Sequence, residues 1–365
     1  MIAIVDPLWW GALFASFLLS ALVTWLSLLY ARSRNLFDLP GQRRSHSAPT
    51  PRGGGLGIVV AVIAGLVALA WFVPAMVSPW RLICAVALIA AVGWIDDHRP
   101  LPAWSRLLVH CVAVAVWLAP LLKALVVAPT SQPPDTTPLE TAGIILLLGF
   151  ACVWSINLHN FMDGIDGLLA FQSIFVLSVL MVLCLRDAES AHSWQFGLWA
   201  AAIAGFTLFN FPRARVFMGD VGSGPIGLLI AVAAIWQTST PQVAAASGII
   251  AASAFVADAT CTLLSRMLRG RHWYSAHREH LYQWMTRAGM SHARVVAWYM
   301  AWNLLVVLPL LWWINRMPAM RPGVESLDSG YPFAAATYVL AVALWIFGKR
   351  WCAHKIKSPG MKLAR

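Results

Sequence analysis

Apolar runs of roughly 18 to 23 residues recur from one end of this chain to the other, and no other feature constrains the fold as strongly. At 1.5 Å of rise per residue, a helix of that length crosses a hydrocarbon core of about 30 Å. A water-soluble domain would need a very large core to hide such runs. Composition agrees: 60% of the residues are hydrophobic and 11% charged, against about 25% charged in soluble domains. The expected fold is therefore all-α, a polytopic integral membrane protein forming one membrane domain over residues 1–365.

We read eleven spans: 9–31, 54–77, 80–95, 104–122, 141–157, 166–185, 194–211, 223–240, 243–265, 294–315 and 332–350. The second and third are separated at Pro74 and at Ser78-Pro79, because an unbroken run of about 40 residues exceeds one crossing. Asp6 is the only charge before the first run, so no basic leader precedes it and the run is expected to be a retained span. With the N-terminus outside, 21 of the 26 Lys and Arg fall on inside segments, leaving Arg81, Lys123, Arg186, Arg316 and Arg321 outside. The C-terminus is thereby expected on the inside, cytoplasmic face. The outside segment from Ala128 to Glu140 is rich in Pro and Thr and reads as a connector. Inside segments gather Asp, Asn, His, Arg and Gly, which places function on the cytoplasmic face.

The net charge of +11 comes from short loop clusters rather than a basic stripe. Lipid headgroups and phosphorylated substrates fit it better than nucleic acid, which we exclude as a partner. The six cysteines stand singly along apolar runs and read as small buried hydrophobes.

Five inside motifs carry the chemistry. In DLPGQRRSHSAPTPRGGGLG, Asp38 to Gly57, the residues Arg43, Arg44, His46 and Arg52 can collect phosphate while Gly53, Gly54 and Gly55 offer backbone N–H groups. The bland alternative is a basic loop held by headgroups, with glycines for close helix packing. Asp96 and Asp97 end a span at the C-terminal pole of its dipole, unfavourable to anions by roughly 0.3–1 kcal/mol each. Nothing structural recommends that pair, whereas a cation or a proton-transfer task would explain it.

In INLHNFMDGIDGLLA, Asn157, Asn160, Asp163 and Asp166 recur every three residues, so a helical turn would stack them on one face. Burying an Asp at bilayer depth costs about 2.5–3.5 kcal/mol, so such a row implies a polar cavity. In FNFPRARVFMGDVGSGPIG, Asp220 or Ser223 could simply cap the next span. The same glycine-flanked helix start is also an anion site, where Asp220 would hold a hard cation bridging that anion. The last motif, RGRHWYSAHREHLYQWMTRAG, lies in a cytoplasmic loop over residues 266–293 with an amphipathic segment. There Trp273, Tyr274, Leu281 and Trp284 could face lipid, and His277, Arg278 and His280 could reach a diphosphate. Asp258, inside the ninth span, marks either a packing hydrogen bond or the ion path of a secondary transporter, the main competing class.

In this order, DD, NxxNxxDGxDGLA, FMGDxGS and a late HxxH resemble the polyprenyl-phosphate N-acetylhexosamine-1-phosphate transferases, glycosyl transferase family 4, in the O-antigen-initiating branch. The resemblance implies an Mg²⁺-dependent phosphoglycosyltransferase, with Mn²⁺ as a substitute. UDP-N-acetylhexosamine would donate, polyprenyl phosphate in the lipid bilayer would accept, and lipopolysaccharide assembly would follow. It makes Asn160 and Asp220 the metal ligands, and gives Asp96 and Asp97 to the acceptor phosphate or the metal. Asp166 and Phe217 would bind the uracil, and His277, Arg278 and His280 the diphosphate and sugar. Asp163 joins the catalytic group without an assigned task. HREHLYQ lacks a triple-His run, which argues against a muramyl-pentapeptide donor. Small residues on the spans allow a homodimer.

Overall fold

The computed structural model describes residues 7–38, 48–72, 79–126, 137–185, 192–240, 243–271, 277–317 and 330–358. Among these, helices occupy each of the eleven expected segments: α1 (Pro7–Ser33), α2 (Leu56–Phe72), α3 (Trp80–His98), α4 (Ala103–Val126), α5 (Pro138–Met162), α6 (Leu168–Cys184), α7 (His192–Asn210), α8 (Asp220–Trp236), α9 (Ser247–Ala251) with α10 (Ser253–Leu268), α12 (His292–Trp302) with α13 (Leu308–Ile314), and α14 (Tyr331–Lys357). A short helix, α11 (Leu281–Arg287), stands in the late loop. Among the described residues, six helical stretches are long and apolar enough to cross a membrane: Pro7–Ser33, Ala103–Leu122, Leu139–Met162, Asp220–Ser239, His292–Ile314 and Tyr331–Lys357.

Helix ends follow local chemistry. Thr137 caps α5 by accepting from the Glu140 N–H while the Glu140 side chain answers the Thr137 N–H, and Pro138 occupies the first turn. Ser291 caps α12 more simply, its hydroxyl accepting from the Arg294 N–H. Residues 303–307 form a π turn between α12 and α13, next to Pro309, whose missing N–H interrupts the regular ladder.

The expected ninth span is not one helix. Residues 243–246 enter as turns, and Ala252 separates α9 from α10. The entry is held by side chains that reading the run by hydropathy overlooks: Asn315 accepts from the Ala244 N–H at 2.8 Å, and Gln237 donates to the Ala245 carbonyl at 2.7 Å.

Helix α8 forms the centre, with every residue from Val221 to Ala233 buried, and it packs on α3 and α5. Gly55, at the entry to α2, leaves no room for a side chain against Gly222 of α8, whose nitrogen lies 2.8 Å from where a Cβ would sit. The outer helices present Leu18, Leu22, Leu146, Leu147, Phe150, Val339 and Phe347 outward. Exposed apolar area of that extent suits a lipid solvent and not water.

A two-stranded ribbon, β1 (Phe37–Asp38) and β2 (Thr50–Pro51), runs antiparallel with Phe37 opposite Pro51. It feeds directly into Arg52. Arg43, Arg44 and His46 lie outside the described residues, as do Trp273 and Tyr274.

Candidate active site

The acidic motifs converge because α3 and α5 end where α8 begins. Gly219, at φ +77, turns the chain into α8 and has no side chain with which to cap it. Asp97 supplies that cap from the neighbouring helix: its carboxylate accepts from the backbone N–H of Asp220 at 3.0 Å and of Val221 at 3.2 Å. A Cβ at residue 219 would strike this carboxylate, so a glycine is needed for space as well as for φ. The expectation that nothing structural favours the aspartate pair is thereby corrected. Asp97 opposes the dipole of its own helix but meets the positive end of α8.

The two acids of the pair face different partners. Asp96 accepts from the Leu101 N–H at 2.7 Å and pairs with Arg106 at 3.1 Å. Asp97 has a side chain only 2% exposed and pairs with Arg52 at 2.9 Å. The two arginines then meet on Asp220, Arg106 at 2.6 Å and Arg52 at 3.3 Å. Sequence reasoning counted Arg106 only as a loop charge, and its place between two acids was missed. Burial pushes the Asp97 carboxyl up to about 7, with Asp220 adding to the push and Arg52 opposing it. Asp96 is likewise raised, first by burial.

Backbone pairing holds this ensemble. The Phe217 N–H donates to the Pro51 carbonyl, and the Gly54 and Gly55 N–H groups donate to the carbonyls of Phe217 and Met218, each at 2.8–2.9 Å. Those two glycine N–H groups are therefore engaged, and the expected phosphate nest at Gly53–Gly55 is reduced accordingly. Phe217 itself is half-buried beside this ladder.

The third motif departs from a single helical face. α5 stops at Met162, and Asp163 terminates it, so residues 163–167 turn instead of continuing. Asn160 still points to the start of α8, donating to Ser223 Oγ at 3.0 Å. Asn157 turns back to the Val153 carbonyl. Asp166 leaves the row altogether: it accepts from the Ala214 N–H at 3.2 Å and pairs with His292 Nδ1 at 3.1 Å. His292 and Asn210, which joins the Gly167 N–H to the Val216 carbonyl, carried no sequence signal because they lie far away along the chain. Burial pushes Asp163 up to about 7, and Asp220, Asp97 and Asp166 add to the shift.

In the late loop the rings of His277 and His280 stack at 5.0 Å. His280 is buried, lies 6.1 Å from the Phe161 ring, and is pushed down to about 4, chiefly by burial. It is thus an internal ring more than an open contact. Arg278 is half-buried. α11 does not lie free toward lipid: Leu281 packs on Gly348 of α14, and Trp284 lies under Lys349 and Arg287.

No three His, Cys, Asp or Glu side chains among the described residues gather closely enough to enclose an ion alone. Mg²⁺ does not require that, since it takes one or two carboxylates together with phosphate oxygens and water. The donors at the α8 start are hard oxygens, and Asp163, raised first by burial and then by the neighbouring Asp220, Asp97 and Asp166, is an acid whose ionised form a divalent cation would favour. The residues fit such an ion.

Helices too apolar for water, crossing around one buried helix whose entry gathers acids and arginines, define a multi-pass membrane protein with a polar site at one end of the bundle. Its relatives narrow the class. The sequence model for glycosyl transferase family 4 matches residues 79–238, the stretch from α3 to the end of α8. The chain is 31% identical over 292 residues to a decaprenyl-phosphate N-acetylglucosaminephosphotransferase of Mycobacterium tuberculosis, covering 72% of each chain. It is 27% identical over 290 residues to an undecaprenyl-phosphate alpha-N-acetylglucosaminyl 1-phosphate transferase of Salmonella typhi, covering 76% of this chain and 77% of that one. A probable undecaprenyl-phosphate N-acetylglucosaminyl 1-phosphate transferase of Bacillus subtilis is 26% identical over 258 residues, covering 70% and 71%. The protein belongs to glycosyl transferase family 4.

Proposed function

We propose that this enzyme transfers N-acetylhexosamine 1-phosphate from a UDP-sugar to polyprenyl phosphate and releases UMP. The observation that carries the reading is the meeting of Asp96, Asp97, Asn160, Asp163 and Asp220 with Arg52 and Arg106 at the α8 start, all but Arg52 within the segment that the family model matches. N-acetylglucosamine is the sugar that the relatives' names support.

In the proposed reaction an oxygen of the acceptor phosphate attacks the β-phosphorus of the donor. The bond from that phosphorus to the UMP oxygen breaks, and UMP leaves as an anion. Direct in-line attack needs charge stabilisation and positioning more than a strong base, since a phosphate monoester is largely ionised near pH 7. Asp97, with a side chain 2% exposed that holds two backbone N–H groups and Arg52, is assigned to structure, and the more exposed Asp96 and Asp163 are assigned to orienting the acceptor. Arg52 and Arg106 stand where the diphosphate charge would be met, with His277 and Arg278 on the leaving-group side. Mg²⁺, or Mn²⁺ in its place, would be held by Asn160 and Asp220 and would offset charge on the diphosphate. Asp166 and Phe217 are assigned to the uracil.

The same proposal gives eleven spans, the N-terminus outside, and the site on the cytoplasmic face of a bacterial inner membrane. The charge asymmetry of the loops supports it. A lipid-linked surface glycan, the lipopolysaccharide O-antigen in the branch that the motifs resemble, would be the product line, and a homodimer is compatible with the small residues on the spans. Asp258 does not support a transporter, because its carboxylate is fully engaged by protein donors.

Purified enzyme in detergent with undecaprenyl phosphate, Mg²⁺ and a panel of radiolabelled UDP-sugars tests the reading. Label moving into lipid, with one UMP released per transfer, is the expected result. Absence of transfer from every UDP-N-acetylhexosamine would refute it.

A further inference from the structure

Asp258 lies on α10, 2% exposed, and accepts five hydrogen bonds. Three come from side chains on helices: Thr262 at 3.3 Å, Tyr299 on α12 at 2.6 Å and the Trp345 indole on α14 at 3.0 Å. Two come from the late loop: the backbone N–H of Leu281 at 2.7 Å and of Tyr282 at 3.5 Å. Every partner donates, which suits a carboxylate, a group with about four lone-pair sites and no proton to give. The two N–H groups are the first of α11 and have no acceptor within that helix. Asp258 supplies it from across the bundle.

Tyr282 carries the connection onward. Its ring is 1% exposed and its hydroxyl donates to the Phe161 carbonyl at 2.9 Å, in the last turn of α5. It fits there because residue 164 is glycine. A Cβ at that position would collide with the hydroxyl and come within 2.9 Å of Cζ. Asp163 sits between the two contact points. The His280 ring lies 6.1 Å from Phe161 on one side and 5.9 Å from Tyr282 on the other, with His277 stacked beyond it.

We propose that Asp258 and Tyr282 are positioning residues that hold the His277–His280 segment in register with the Asp163 turn, so that donor-binding groups on the loop face the acids at the α8 start. This rests on the functional reading of that segment given above. The carboxylate's side-chain partners alone could satisfy a buried acid. The backbone bonds to Leu281 and Tyr282 are what tie it to the site.

The test compares Asp258→Asn, Tyr282→Phe and Tyr299→Phe in the full-length enzyme. An amide in place of the carboxylate turns one acceptor into a donor facing donors, and Tyr282→Phe removes only the bond to Phe161. Both should raise KM for the nucleotide sugar about tenfold, the size expected for one lost hydrogen bond to a well-placed group, with little change in KM for polyprenyl phosphate. Both should speed amide exchange over residues 277–283. Tyr299→Phe removes a bond on the α12 side and should lower thermal stability without moving KM for the donor. The proposal is overturned if Tyr299→Phe shifts that KM as far as Asp258→Asn does, or if exchange at Leu281 and Tyr282 is unchanged in Asp258→Asn. Should Asp258→Asn not fold, Tyr282→Phe carries the same comparison, and normal donor KM with normal exchange in it overturns the proposal. Exchange needs no turnover, so a wild-type enzyme inactive with every donor counts against the reaction, and an unchanged exchange pattern counts against the anchor.

Discussion

Asp97 of α3 caps α8 by accepting the backbone N–H of Asp220 at 3.0 Å, so one carboxylate joins two helices and orients the acid that follows the turn. A cap of this kind is worth about 1 kcal/mol, and a hydrogen bond to a charged group about 1.5–3 kcal/mol. Asp97→Ala is therefore expected to lower stability by about 2 kcal/mol and to abolish most activity, because the Asp220 side chain loses its direction. Asp97→Asn should keep part of the cap through its carbonyl oxygen and lose less stability. Equal stability of all three proteins in denaturant titration would remove the capping role.

Arg106 bridges Asp96 and Asp220, at 3.1 and 2.6 Å. Its loss leaves two carboxylates facing each other and one fewer cation at the diphosphate position. Arg106→Ala should reduce kcat/KM by about 10²-fold, the size seen when one stabilising donor is removed from a site of this type. One nitrogen, Arg106 Nη1, reaches both acids, so the ammonium of Arg106→Lys keeps the charge but sits on a shorter, more strongly hydrated side chain, and only partial recovery is expected. Full activity in the alanine variant would move Arg106 out of the site.

How much of this was legible in sequence differs from motif to motif. The apolar runs specified the helices well, because a long run has few other ways to pair its backbone in lipid. They failed between Gln237 and Ser253, where Asn315 and Gln237 support a non-helical entry that no local pattern shows. The convergence on α8 could be anticipated from FMGD, yet the division of labour between Asp96 and Asp97 could not. Neighbours in sequence, they turn toward Arg106 and toward the α8 N–H groups, a difference set by rotation about α3 and by what α8 lacks at Gly219. Asp166 illustrates the converse. A spacing of three placed it on a helical face, and the chain left the helix at Asp163 before reaching it.

Asp166 and His292 form a pair at 3.1 Å, and Asp166 also accepts from the Ala214 N–H. If the acid reads the uracil, its orientation depends on both. His292→Ala should weaken inhibition by UMP about tenfold, the cost of one charge-assisted hydrogen bond, and should leave affinity for the lipid acceptor unchanged. Isothermal titration with UMP measures the first and acceptor saturation kinetics the second. Unchanged UMP affinity in both His292→Ala and Asp166→Ala would place the base elsewhere.

Asp163 gives the protein a pH dependence whose sign can be worked out. Burial, with Asp220, Asp97 and Asp166 nearby, pushes its folded-state carboxyl up to about 7, above the unfolded value of about 3.9. A group raised in this way binds its proton more tightly in the folded state. Its stabilising contribution is complete below about pH 4 and is lost as pH rises through about 7. With metal chelated, the apparent Tm of the wild type should therefore fall between pH 4 and 7 more steeply than that of Asp163→Asn, which cannot ionise there. Asp97 adds in the same direction, so some slope remains in the variant. Mg²⁺ at the α8 start should oppose the loss by favouring the ionised acids, and its stabilising effect should be larger at pH 8 than at pH 5. Scanning fluorimetry across pH, with and without Mg²⁺, reads both effects. A variant with the same slope as the wild type would show that Asp163 does not titrate in this window.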